Sequence, residues 1–269
     1  MQFTRRVRMM FGGVTGLVLV FLYLPLAIIA VLSFNTASSL AWPPKGFTLH
    51  WWQSALHSTG ARDALVVSLK TAVGATAIAL LLGLLASLAV HRFKFFGRES
   101  LNLMIVLPIA LPGIVTGIAL NAAFRQAGLD LGLLTLIIAH ATFCIVVLYN
   151  NLLARFRRLS PNLEEASADL GAHTFQTFRY VTFPLLRTAL LAGGLLAFGL
   201  SFDEIVVTTF TAGAGLETLP IWIFRNLSRG EQQPIVTVVA TAVMLLSIIP
   251  VWVAQRLTSD DGPLTGGTR

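Results

Sequence analysis

Apolar residues in this chain gather into six runs, at about 11–34, 64–90, 101–124, 132–154, 185–210 and 235–255, with polar residues confined to the short stretches between them. A bilayer core about 30 Å thick is crossed by roughly 20 apolar residues of helix. The pattern therefore predicts an all-α integral membrane protein with six transmembrane helices in a single domain covering residues 1–269. Arg5, Arg6 and Arg8 precede the first run as they would in a secretory leader. That run is longer than the 7–15 apolar residues of a leader, so it is expected to stay as an anchor.

Composition supports the assignment to lipid. Hydrophobic residues make up 55% and charged residues 12%, about half the charge of an ordinary soluble domain, and the mean hydropathy is +0.78. The net charge of +7 raises the question of nucleic acid, but the interleaving of aromatic and basic residues that single strands require is absent. Most of the basic residues fall in alternate loops instead. Thirteen of the nineteen Lys and Arg lie on one side: Arg5, Arg6, Arg8, Arg92, Lys94, Arg98, Arg155, Arg157, Arg158, Arg179, Arg187, Arg256 and Arg269. Lys45, Arg62, Arg125, Arg225 and Arg229 lie on the other, and Lys70 falls inside a span. By the positive-inside rule both termini are expected in the cytoplasm. The 35–63 segment is then external, and its FTLHWWQSAL with Trp42, Trp51 and Trp52 predicts an interfacial helix at headgroup level. The C-terminal stretch at about 257–269 is polar and is expected to be disordered.

Three sets of residues inside the spans invite chemistry. In LPIALPGIVTGIAL, Pro108 and Pro112 should bend the third span, while Gly113 and Gly117 allow close helix approach. Gating and simple packing are both open for these four. Asp203 and Glu204 lie well inside the fifth run, where a carboxylate costs a few kcal/mol or more unless it is paired or faces water. Counting back from Phe210 at about 1.5 Å per residue puts them roughly 10 Å from the external end. They could meet a cationic solute, with Phe198, Ser201 and Phe202 lining the same path, or pair structurally with Lys70 at similar depth. His140 and Cys144 have the four-residue spacing of a metal pair, but no third ligand is evident and no metal site is expected. The one cysteine excludes an intrachain disulfide.

The longest polar stretch is SPNLEEASADLGAHTFQTFRYVTFP, residues 160–184, within a loop of about 155–184. Ser160 can cap a helix that starts at Pro161, with Glu164 and Glu165 near its positive end and Gly171 ending it. A second short helix is expected from Thr174 to about Arg179, with Pro184 starting the next span. The first helix carries Ala, Ser and Gly with three carboxylates rather than bulky apolar residues flanked by Lys and Arg, so it suits docking to a protein better than lying on lipid.

Glu165-Ala166-Ser167, three residues, Gly171, nine residues, Val181, one residue and Phe183-Pro184 resemble the E-A-A-x3-G-x9-I-x-L-P signature of permease subunits of bacterial ABC importers. The departures are Ser for the third small residue, Val for Ile and Phe for Leu. The segments NNLLARFRR, EEASADLGA and LLAGGLLAFGLSFDEIVVTTFTAG are similar to permeases of the spermidine/putrescine type. The resemblance implies the type I importer fold and a subunit of the bacterial inner membrane that is not itself an enzyme. It also implies a related but distinct second permease, two ATP-binding subunits holding Mg-ATP and a periplasmic solute-binding protein. Glu164, Glu165, Ala166, Ser167, Asp169, Gly171 and Pro184 would then form the coupling element, and the solute would be a polyamine. The absence of a G-x-x-x-x-G-K-[ST] loop agrees with ATP being held elsewhere. The first alternative is an ABC permease for another small solute; an ion-coupled secondary transporter comes after it, since intramembrane carboxylates and broken helices also suit that class. An intramembrane hydrolase is disfavoured, because no pattern selects a nucleophile among Ser68, Ser87 and Ser201.

Overall fold

Twelve helices account for nearly all the secondary structure among residues 5–160 and 162–259, which the computed structural model describes. In chain order they are α1 (Arg5–Leu32), α2 (His50–His57), α3 (Thr59–Arg92), α4 (Arg98–Ala110), α5 (Gly113–Gln126), α6 (Leu133–Phe156), α7 (Asn162–Asp169), α8 (Thr174–Thr177), α9 (Phe183–Phe202), α10 (Val206–Thr211), α11 (Leu219–Leu227) and α12 (Gln233–Ser259), with a π-helical turn at Phe178–Thr182. Pro161 and the tail from residue 260 lie outside the described residues.

Among the described residues four helices are long and apolar enough to cross a bilayer, and the pair α4 and α5 would add a fifth if read as one broken span. The sixth run falls on α12, a helix of 27 residues that is apolar over its described residues Gln233–Ile249. The third run is more than bent. Its halves meet at 108°, because Leu111, restricted by the proline after it, is extended (φ −83°, ψ 144°), and Pro112 starts α5 afresh. The fifth run also departs from the expected continuous helix: α9 stops at Phe202 and α10 begins at Val206.

The residues pack as two units. In the smaller, residues up to Arg62 with Trp222–Ile248, the loop after α1 closes around Asn35. The Asn35 side-chain oxygen accepts from the backbone N–H of Ala37 and of Lys45, and its backbone oxygen accepts from Trp51 Nε1 at 3.0 Å. Trp52 stacks on Phe34 with ring centroids 5.4 Å apart. Trp51 and Trp52 are thus half-buried against their own loop, and Trp42 is exposed, as a headgroup anchor would be.

The larger unit, from Asp63 to Ile221 with the residues after Ile248, is organised on α6. Lipid-like surroundings give apolar helices no net reason to associate, so close contact depends on small residues that let large ones interdigitate. Leu148, fully buried on α6, sits between two glycines. A Cβ on Gly83 of α3 would stand 3.0 Å from Leu148 Cδ2, and one on Gly193 of α9 would stand 2.7 Å from Leu148 Cδ1. Leu152, Phe156, Leu186 and Leu190 extend this seam toward residue 156. Toward the other end of α6 the core becomes Ala75, Ala79, Ala139, Phe143, Cys144 and Ala197. Tyr149 fastens α4 by donating to Asn102 Oδ1 at 2.7 Å.

Candidate functional site

Residues 160–184 fold as an elbow whose corner is Gly171. Its φ of +84° is left-handed, a conformation that costs residues with a Cβ about 1–2 kcal/mol. The Gly171 N–H donates to Ala168 O at 2.9 Å and the Ala172 N–H to Ser167 O at 3.1 Å. This pair of bonds is the Schellman arrangement, which satisfies the last carbonyls of α7. Beyond the corner, Gln176 Oε1 accepts the His173 N–H and opens α8.

The second helix is longer than the sequence pattern indicates. α8, the π-turn and α9 run on without a break, so Thr174–Phe202 forms one continuous 29-residue element. Pro184 lies inside it. Lacking an N–H and crowding the carbonyl four residues back, Pro184 is accommodated by the wider turn before it, where the Phe183 N–H reaches back five residues to Phe178 O.

The elbow has two faces. On the inner one, Glu164 takes an ion pair from Arg92 Nη2 at 3.2 Å and a hydrogen bond from Thr182 Oγ1 at 2.8 Å, tying α7 to the end of α3 and to the π-turn. Ser167 Oγ lies 3.1 Å from Thr177 Oγ1. Arg155 Nε donates to Leu185 O at 3.0 Å, so the end of α6 holds the start of α9. Behind these ties is a groove of about 270 Å³ lined by Arg92, Phe156, Leu163, Glu164, Thr182 and Leu185, among others. On the outer face Glu165, Ala166 and Asp169 are exposed, Leu170 is 90% exposed and Phe175 66%. The residues expected to act in coupling therefore divide: Glu164 and Ser167 fasten the elbow to its own chain, and Glu165, Ala166 and Asp169 face outward. Sequence reasoning gave Arg92 and Thr182 no part here; the charge of Arg92 on a loop facing the carboxylates of α7 was the available signal.

At the other end of the same rod, Asp203 follows α9 as an exposed cap residue with αR backbone. Its side chain makes no hydrogen bond or ion pair among the described residues. Glu204 is turned to a structural task, its Oε1 accepting the Val207 N–H at 2.8 Å and so capping α10. Among the described residues neither acid forms a salt bridge with Lys70, which is exposed. Phe198 and Phe202 stack with centroids 5.9 Å apart. Ser201 is buried and bonded to His140 at 2.8 Å. His140 and Cys144 gain no third ligand, and no group of His, Cys, Asp or Glu suited to a metal occurs among the described residues.

The two helices that follow the breaks pack on each other. Gly113 admits Val206, and Gly117 admits Phe210 so closely that a Cβ there would stand 2.7 Å from the ring. Asn121 Nδ2 donates to Phe210 O, and Arg125 Nε holds Asn121 Oδ1 at 2.9 Å. Pro112, Gly113 and Gly117 thus act together, one breaking the helix and two seating its partner, while Pro108 remains within α4.

Residues 79–260 match the family described as binding-protein-dependent transport system inner membrane component. The chain is 32% identical over 261 residues to the spermidine/putrescine transport system permease protein PotC of Shigella flexneri, covering 97% of this chain and 98% of that one. It is also 32% identical to the putrescine transport system permease protein PotI of Escherichia coli, over 88% of this chain and 87% of that one. The same identity, over 91% and 96%, links it to PhnV of Salmonella choleraesuis, named for 2-aminoethylphosphonate transport. In fold it resembles a chain in the crystal structure of a bacterial ABC transporter involved in import of the acidic polysaccharide alginate, with a TM-score of 0.71, 19% identity and coverage of 98% and 100%.

Proposed function

Because this chain belongs to the binding-protein-dependent transport system inner membrane components and is the permease subunit of an ABC importer, we propose that it carries a polyamine-like organic cation. The observation that carries the reading is 32% identity across nearly the whole length of relatives named for spermidine and putrescine transport. The elbow supports the mechanism. Its inner face is bonded to the chain and its outer face, with Leu170 and Phe175 exposed, is left for an ATP-binding subunit. Two such subunits with Mg-ATP, a related but distinct second permease and a periplasmic solute-binding protein complete the transporter. The subunit lies in the bacterial inner membrane with six spans, both termini and the elbow in the cytoplasm. ATP-driven closure of the motor pair draws the elbows together, and the spans switch between inward-open and outward-open states.

Asp203 is the residue placed to meet the cation, being exposed at a helix break beside the stacked Phe198 and Phe202. A carboxylate at such a break can hold an ammonium while an aromatic face shares the charge. Replacing Asp203 with Asn should raise KM for the cation roughly tenfold, the worth of one hydrogen bond to a charged group, with assembly unchanged. Uptake in vesicles checks the first part and size-exclusion chromatography the second.

A second reading has its own support in the equal identity to PhnV, which would make the recognised feature a primary ammonium rather than a polyamine. The deciding experiment reconstitutes the importer and measures ATP hydrolysis with spermidine, putrescine, 2-aminoethylphosphonate and an unrelated solute. Severalfold stimulation by either polyamine is expected. Stimulation by 2-aminoethylphosphonate alone would transfer the assignment, and transport that follows an ion gradient without ATP would end it.

A further inference from the structure

Buried at the break in the fifth span is one titratable side chain that the transport reading leaves unused. His140 on α6 is fully buried, and both ring nitrogens are engaged: Nδ1 with Ser201 Oγ at 2.8 Å and Nε2 with Thr208 Oγ1 at 2.9 Å. Ser201 is the next-to-last residue of α9 and Thr208 lies in the first turn of α10, both almost fully buried. The imidazole therefore spans the interruption at Asp203–Ile205, with one bond on each side of it.

The donors can be assigned. A hydroxyl has one hydrogen, and that of Thr208 is given to Glu204 O at 2.9 Å. Toward the ring Thr208 can only accept, so Nε2 carries the proton. Nδ1 then has a free lone pair and takes the Ser201 hydroxyl hydrogen. In this arrangement both ring nitrogens and both hydroxyls are satisfied, which a buried network needs if it is not to destabilise the fold.

We propose that His140, as the neutral Nε2–H tautomer, is a positioning residue that holds α9 and α10 at a fixed angle across the break and thereby sets where Asp203 stands. The effect reaches further than α10. Gly113, Gly117 and Asn121 seat α5 on α10, so the halves that follow both breaks move together, and this ring joins them to α6 beside the contact of Thr135 Oγ1 with Thr211 O at 3.4 Å. The proposal rests on reading the broken span as part of the solute pathway, but its test does not depend on which solute moves.

The test uses the assembled transporter in lipid nanodiscs, in a Cys144→Ser background, with spin labels at the exposed positions Leu200 and Thr209. The parent is expected to give one narrow distance between them. Ser201→Ala and Thr208→Val each remove one bond and leave the ring in place. Each should raise the population of a second distance roughly fivefold, the ratio that one net hydrogen bond supplies. His140→Gln, which can still reach Thr208, should lie between the parent and His140→Leu. Nitrogen-15 spectra of histidine-labelled transporter should show an unprotonated Nδ1 and a protonated Nε2 that vanish in His140→Gln. Unchanged distances in both hydroxyl variants, or the opposite tautomer, would overturn the proposal. Should His140→Leu fail to assemble, the two hydroxyl variants decide alone.

Discussion

Gly171→Val is expected to cut solute-stimulated ATP hydrolysis about thirtyfold while the chain still assembles. Gly171 sits at φ +84°, where a β-branched residue is a true outlier. Such backbone strain costs on the order of 2 kcal/mol, and at 1.4 kcal/mol per factor of ten this corresponds to the stated loss. The strain can be relieved only by opening the corner and giving up the bonds from Gly171 and Ala172 to the end of α7. With the corner open, α7 keeps its ties through Glu164 but points its outer face elsewhere. Gly171→Asn, which tolerates left-handed backbone, should retain most of the activity. Equal activity of the Val and Asn variants in proteoliposomes would show that the corner's shape is irrelevant to coupling.

A larger loss is expected from Gly193→Leu, this time of the folded protein itself. Even a bare Cβ at Gly193 would stand 2.7 Å from Leu148 Cδ1, and Leu148 has little room to retreat, because its other methyl already lies against Gly83 of α3, so close that a Cβ there would stand 3.0 Å from it. A leucine there has to force α9 off α6, and overpacking of this kind costs about 3 kcal/mol or more. Thermal unfolding in detergent should register it as loss of the monodisperse peak at temperatures the parent withstands. Adding Leu148→Ala should recover part of the stability, since the space it opens is the space the new side chain needs. Additive losses in the double variant would mean that these two residues do not face each other.

Some of this was legible in the chain and some was not, for identifiable reasons. The runs at about 64–90 and 132–154 correspond to α3 and α6 because an uninterrupted apolar stretch of that length has few alternatives to a helix. Gly171 was legible because only a few residues end a helix and a glycine followed by a new polar start is among the clearest signs. The break after Phe202 was not, since residues on both sides are apolar and what ends α9 is a carboxylate capping α10, a choice that depends on three-dimensional surroundings. Glu164 and Glu165 are neighbours of one kind in the sequence. Their separation into an inward and an outward carboxylate depends on Arg92 at the end of a helix more than sixty residues earlier. Likewise nothing in the spacing of His140, Ser201 and Thr208 shows that one ring joins all three. Trp51 and Trp52 carried the composition of a lipid anchor, yet a nearby loop supplied a carbonyl and a phenyl ring that each could use.

The unbroken passage from α8 through the π-turn into α9 makes one stiff strut. Its 29 residues, at about 1.5 Å each, reach roughly 44 Å, enough to cross the hydrocarbon and protrude on one side. The elbow bears on one tip and the Asp203 interruption sits at the other. Such a strut has little backlash: a tilt of a few degrees imposed at Thr174 swings the far tip by a few ångströms in the opposite sense, without waiting for intermediate joints to take up slack.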